Sequence, residues 1–273
     1  NTLTLSGGGS LVSGGLTLND ADSKLLLNSI TVDSVSTSLA NSGLDVDNNS
    51  SVTSLTVGYT TPVSIASGIT LSGGITVTGG SIKLDEAGTL DADVSMSGGT
   101  LDVDKSLTLS GALTQSGAIE IDVKTGEILT YSGAAVNLGA YTLKMSGGGT
   151  LSNTYAFALN HASSKLQLNS ITVAKVITSA VSLGLDVDAD SIVTSLTVAH
   201  PATPVSIADG ITLSGGIAVT AGSIQLDEAG TLGSTVTMSG GTILDVDDTL
   251  TISGALTQSG NIEIDVKAGE VLT

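Results

Sequence analysis

Residues 68 to 88 read GITLSGGITVTGGSIKLDEAG, and residues 210 to 230 read GITLSGGIAVTAGSIQLDEAG. The two stretches differ at three positions: Thr76 against Ala218, Gly79 against Ala221, and Lys83 against Gln225. All six aliphatic residues of the first, Ile69, Leu71, Ile75, Val77, Ile82 and Leu84, return unchanged. Apolar and polar residues alternate at period two, β-branched residues are frequent, and Gly and Ser stand at the breaks, which is the chemistry of half-buried strands. Retained apolar letters beside drifting polar ones mean a packed inner face and a solvated outer one.

The same comparison extends along the chain. SKLLLNSITV from Ser23 returns as SKLQLNSITV from Ser164, GLDVD at Gly43 returns at Gly184, and SGALTQSG at Ser110 returns at Ser253, an outer repeat of about 141 residues. Inside it runs a shorter frame: apolar, any residue, apolar, small polar. It ends at Asn28, Asp47, Ala66, Asp85, Asp104 and Asp122, in steps of 19, 19, 19, 19 and 18 residues, and returns through Asn169, Asp188, Ala208, Asp227, Asp247 and Asp265. One such coil cannot bury its inward row alone, but coils stacked at the strand spacing of ~4.8 Å cover one another. The expected fold is therefore all-β: a β-solenoid, or parallel β-helix, with roughly three faces and coils of ~19 residues.

On this reading residues 1–140 form a first seven-coil repeat and residues 141–273 a second, slightly truncated one, in one continuous solenoid. Thirteen or fourteen coils at ~4.8 Å span roughly 65 Å, and seven span ~34 Å. Two inward stacks are expected: Leu25, Leu44, Val63, Ile82, Leu101, Ile119 and Leu143, beside Leu27, Val46, Ile65, Leu84, Val103, Ile121 and Met145. Asn1–Leu5 matches Tyr141–Met145, and the final GEVLT matches Gly126–Thr130. The pattern thus starts and stops mid-repeat, and the expected neighbours are flanking coils of a longer parent chain or other copies of this one.

Composition narrows the function. The 273 residues include 35 Gly, one Phe, four Tyr, no Trp and no Cys, and the eight basic residues are all Lys. A core without large rings has to be thin and aliphatic. The net charge of −18 disfavours nucleic acid and anionic membrane, which are bound by clustered Lys and Arg. No run of ~18 apolar residues is present, so no membrane-inserted helix is expected in this segment.

The sharpest candidate for chemistry is the acidic corner. Asp85, Asp104 and Asp122 are expected on successive coils, where Ca²⁺ would relieve their repulsion through oxygen ligands. Asp45 and Asp47, in DVDNNS, and the copy DVDADS from Asp186 echo the start of an EF-hand loop. Ser50 and Ser191 stand where that loop needs Gly, however, and Thr56 and Thr197 where it needs Glu. The competing explanation is that Asp and Asn suit turns by bonding their own backbone. The expectation is accordingly no committed metal site, catalytic residue or cofactor, with Ca²⁺ the one cation to weigh.

Catalysis has little support. Asp91/Asp93 and Asp85/Glu86 are ordinary pairs, Asp91 and Asp93 have no counterpart in the second repeat, and the two histidines, His161 and His200, lie only in that repeat, His200 beside Pro201. Polysaccharide-cutting solenoids need clustered carboxylates together with basic or aromatic subsites. Ice binding would use Thr-x-Thr rows such as Thr76-Val77-Thr78, whose copy is Ala218-Val219-Thr220.

SGGGSL from Ser6, SGGGTL from Ser146, SGGTL from Ser97 and LTLSGALTQSG from Leu107 resemble the passenger repeats of bacterial autotransporters and related large surface adhesins. The resemblance implies a right-handed β-helical stalk or fibre, extracellular on a bacterial surface, with host or surface ligands as partners. The expected function is a non-enzymatic structural segment of such an adhesin or fibre, able to assemble end to end. The alternative is a ligand-binding solenoid, for ice or polysaccharide, and after it a polysaccharide-active enzyme.

Overall fold

The computed structural model describes residues 1–12, 14–40, 43–200 and 203–273. The described residues contain no helix, and their strands pair in parallel and wind into about 13 stacked coils of a β-solenoid. The chain clusters into two units, Asn1–Ala134 and Ala135–Thr273.

In the first unit every coil lays one short strand on a common wall. Thr2–Ser6, Lys24–Asn28, Gly43–Val46, Thr61–Ile65, Ser81–Leu84, Thr100–Val103 and Ile119–Val123 pair in that order. The rest of a coil is either two short strands, such as Leu107–Leu109 and Leu113–Gln115, or one long bent strand, such as Ser50–Val57 and Thr70–Val77. Three faces are present, but in the middle coils two of them are fused.

The bend in the long strands has a local cause. Val52 and Leu55 are both buried with Thr53 and Ser54 outward between them, and the register shifts at that point. In the next coil Gly73 passes the bend at φ 125°, and a Cβ there would overlap the Val52 carbonyl oxygen. Only glycine combines that backbone angle with so close an approach.

The second unit repeats the plan. Thr142–Ser146, Lys165–Asn169, Gly184–Ala189, Thr203–Ile207, Ser223–Leu226, Ile243–Val246 and Glu263–Val266 form its short-strand wall. Ser191–Val198 bends as Ser50–Val57 does, with a register shift between Val193 and Leu196.

The inward residues match the alternating pattern, but their stacking order corrects the sequence expectation. Leu25, Leu44 and Val63 do form a row. Val63 then pairs with Leu84 instead of Ile82, while Ile82 meets Thr61. A second slip pairs Leu101 with Ile121 instead of Ile119 and Val103 with Val123. The second unit slips at the same two places, with Val205 on Leu226 and Leu244 on Ile264. Side chains alternate with period two, so a two-residue slip keeps every apolar residue inside and costs no burial.

The core is a thin filling of Leu, Ile and Val, as the near absence of rings requires; Leu27, Val46, Ile82, Leu84, Leu166 and Leu168 are fully buried. Tyr131 and Phe157 are the largest of the fully buried side chains. The Tyr131 hydroxyl donates to the Ala134 carbonyl oxygen at 2.6 Å and accepts from the Leu113 amide at 3.1 Å, so its polar end is satisfied. The slip places Thr61 and Thr203 at inward positions, fully buried. Their hydroxyls donate to the Tyr59 carbonyl and to Thr178 Oγ1.

Candidate functional site

The two-residue slips redraw the acidic corner. Extending the strand pairings by one residue puts Asp45, Ser64, Asp85, Asp104 and Lys124 on successive coils. Asp122 is not in this row; it pairs with Asp102 in the neighbouring one. The expected stack of Asp85, Asp104 and Asp122 therefore does not form, because the slip that seats Val123 beside Val103 carries Asp122 two positions away. Asp45 joins the row instead.

Within the row the carboxylates have partners. Ser64 Oγ donates to Asp85 Oδ1 at 2.7 Å, and Lys24 Nζ lies 2.6 Å from Asp45 Oδ2. Lys83 Nζ bridges Asp104 and Asp102, the latter at 3.6 Å, and Lys124 Nζ stands 3.7 Å from Asp104 on its other side. Hydrogen bonding to Lys83 holds the Asp104 carboxyl below its ordinary range, whereas burial pushes Asp102 up. The same bond to Asp104 raises Lys83, and the bond to Asp45 raises Lys24. Asp47 follows its strand into an exposed turn, with its amide on the Leu27 carbonyl. In both EF-hand-like stretches the residue between the acids, Val46 or Val187, is buried in a strand. Among the described residues no group of three or more His, Cys, Asp and Glu side chains is placed to hold a metal ion.

The second unit repeats this row as Asp186, Ser206, Asp227, Asp247 and Lys267, with Ser206 Oγ on Asp227 Oδ1 at 2.7 Å. Gln225 replaces Lys83 and donates to Asp245 Oδ2 at 3.3 Å, so the letter that drifted keeps the contact to the counterpart of Asp102 through an uncharged donor. Nearby, burial and the charges of Asp186, Asp227 and Asp188 push the Glu228 carboxyl up.

Other sequence candidates resolve into local structural bonds. Asp91 Oδ1 accepts from Ser110 Oγ at 2.6 Å, and Asp93 Oδ1 accepts from the Ala112 amide at 2.8 Å. His161 Nδ1 accepts from the Ser163 amide. Pro201, beside His200, lies outside the described residues.

Thr76, in contrast, belongs to an unbroken hydroxyl row in the first unit: Thr17, Ser36, Thr56, Thr76, Ser95 and Thr114. Its members bond partly to one another, Thr17 to Ser36 at 3.2 Å and Ser95 to Thr114 at 3.0 Å. The equivalent row in the second unit includes Ile177 and Ala218.

The feature that sequence reading missed is concave. A groove of about 580 Å³ runs across coils of the first unit, floored by Thr31, Ser51, Ser72 and Asp91 on successive coils. Ser29, at its edge, adopts φ 53°, as does Ser170 at the same place in the second unit, where the corresponding groove shrinks to about 170 Å³. Ile192 stands there for Ser51 and Gly233 for Asp91. The repeated NSITV would have marked the edge, but alternation carries no signal for which corners recede. Compared with protein-family models, curated proteins and solved structures, the chain matches none.

Proposed function

We propose that this chain is a non-enzymatic extracellular structural protein, a stiff repetitive β-solenoid segment of a bacterial surface adhesin or fibre. The observation that carries the reading is the contrast between faces. Both units hold the same aliphatic rows, the same two register slips and the same Asp-Ser-Asp-Asp-Lys row, while outward letters elsewhere change, Lys83 to Gln225, Ser51 to Ile192 and Asp91 to Gly233. Here the carboxylates bind lysines, serines and backbone amides that tie coil to coil, which is the work of a scaffold. The acidic exterior opposes lateral association, and the reading includes end-to-end assembly with copies or flanking coils.

Immunogold labelling of the source cells with antibodies against this segment tests the location, with label expected outside the envelope; cytoplasmic label sinks the proposal. Sedimentation velocity over a concentration series tests assembly, with head-to-tail oligomers expected to grow with concentration.

A further inference from the structure

We infer that the groove of the first unit is a binding site for an extended, neutral, hydroxyl-rich glycan. This goes beyond the scaffold reading and does not rest on it. The floor is a ladder, Thr31, Ser51, Ser72 and Asp91, whose rungs are set by direct strand pairing. Successive rungs are therefore ~4.8 Å apart, close to the rise per residue of an extended β-linked sugar chain, so that successive sugars meet successive coils. Among the described residues the hydroxyls of Ser29, Thr31, Ser51 and Ser72 have no hydrogen-bond partner in the protein, and Asp91 uses only Oδ1, on Ser110. Each free hydroxyl can both donate and accept, matching the groups that sugars present. The hydroxyl row through Thr76, in part bonded to itself, offers less.

The lining also discriminates. It contains no basic side chain, and the chain carries −18, so an acidic polysaccharide is repelled. Ile30 is its one large apolar residue, which excludes a lipid. No aromatic ring is there to stack on a sugar, so binding rests on hydrogen bonds and is weak. The second unit supplies an internal control: Ile192 fills the position of Ser51, and the groove there is smaller, about 170 Å³.

The test is amide-resolved NMR on the ¹⁵N-labelled 273-residue chain, titrated separately with cellohexaose, N-acetylchitohexaose and hexagalacturonate. Saturable shifts confined to residues 29–31, 49–51, 70–72 and 89–91 with either neutral hexamer support the proposal. Ser51→Ile should weaken that binding at least tenfold with an unchanged melting temperature, because the second unit folds with Ile at the same place. Should Ser51→Ile disturb folding, Thr31→Val removes a floor hydroxyl and keeps the β-branched shape, with the same loss expected. No shifts at millimolar neutral hexamer, shifts confined to other surfaces, an equal response to hexagalacturonate, or binding untouched by both substitutions would each overturn it.

Discussion

The two units are one design with two exteriors. Inside, Ile82 and Leu84 correspond to Ile224 and Leu226, and all four are fully buried. Outside, Lys83 becomes Gln225, Ser51 becomes Ile192, Asp91 becomes Gly233, and an unbroken hydroxyl row acquires Ile177 and Ala218. The difference separates what folding demands from what a surface is free to do. It also accompanies the larger groove in the first unit, where the polar floor is intact, against the smaller one at the same place in the second.

The largest effects are expected where the units agree. Ile82→Ala and Ile224→Ala each empty a fully buried site and should each cost ~2–5 kcal/mol by transfer and cavity terms. Because solenoid stability is approximately a sum over coils and their interfaces, the loss is best read by hydrogen exchange of the mutated coil beside its neighbours. The two variants should agree to within about 1 kcal/mol, well inside the spread of such substitutions. A larger gap would show that the two interiors are not packed alike.

A smaller effect should divide two adjacent glycines. Gly80 sits at φ 63°, and a Cβ would run into the Tyr59 and Thr60 backbone; its counterpart Gly222 is also glycine, at φ 68°. Gly79 has an ordinary backbone angle and room for a Cβ, whose nearest neighbour would be the Gly58 carbonyl oxygen at 3.5 Å, and its counterpart is Ala221. Gly80→Ala should therefore destabilise by roughly 1–3 kcal/mol. Gly79→Ala should be neutral or stabilise by ~0.4–1 kcal/mol through the unfolded chain. Thermal unfolding of the two variants side by side checks the ordering; equal losses would contradict it.

These glycines also show what a sequence can and cannot disclose here. Alternation fixes which residues point inward, because a one-residue error would turn every side chain to the wrong face. Leu25, Leu27, Val46, Ile82 and Leu101 were legible for that reason, and all are buried. A two-residue error leaves the alternation intact, so the slips after Thr61–Ile65 and Thr100–Val103 do not show in which residues point inward, and stacking the frames in simple order places Asp122 in the wrong row. Ile69, read as interior, is only half-buried, since it sits on the corner before its strand begins at Thr70. The groove was illegible because depth depends on how far successive corners recede, which no local alternation encodes. Tyr131 was missed because its partners, Leu113 and Ala134, are brought together only by winding.

The smallest effect tests the exterior directly. Lys83→Gln gives the first unit the residue of the second, and for half-exposed partners the cost at neutral pH should be ~0–1 kcal/mol. Its pH dependence tells more than its size. Asp104 is held below its ordinary value, so its contribution is present above pH of about 3.8 and is lost as pH falls through the lower folded value. Lys83 is raised by the same bond, so its contribution is present below the ordinary lysine value and is lost as pH rises through the higher folded one. Asp102, pushed up by burial, has the opposite sign to Asp104: its ionisation costs stability as pH rises from about 3.8 through its folded value, and Lys83 offsets part of that cost. The difference in melting temperature between wild type and Lys83→Gln should thus be widest at neutral pH and shrink at both extremes. A difference that stayed constant across that range would assign the contribution of Lys83 to the packing of its aliphatic stem, and the exchange of Lys for Gln between the units would then say nothing about charge.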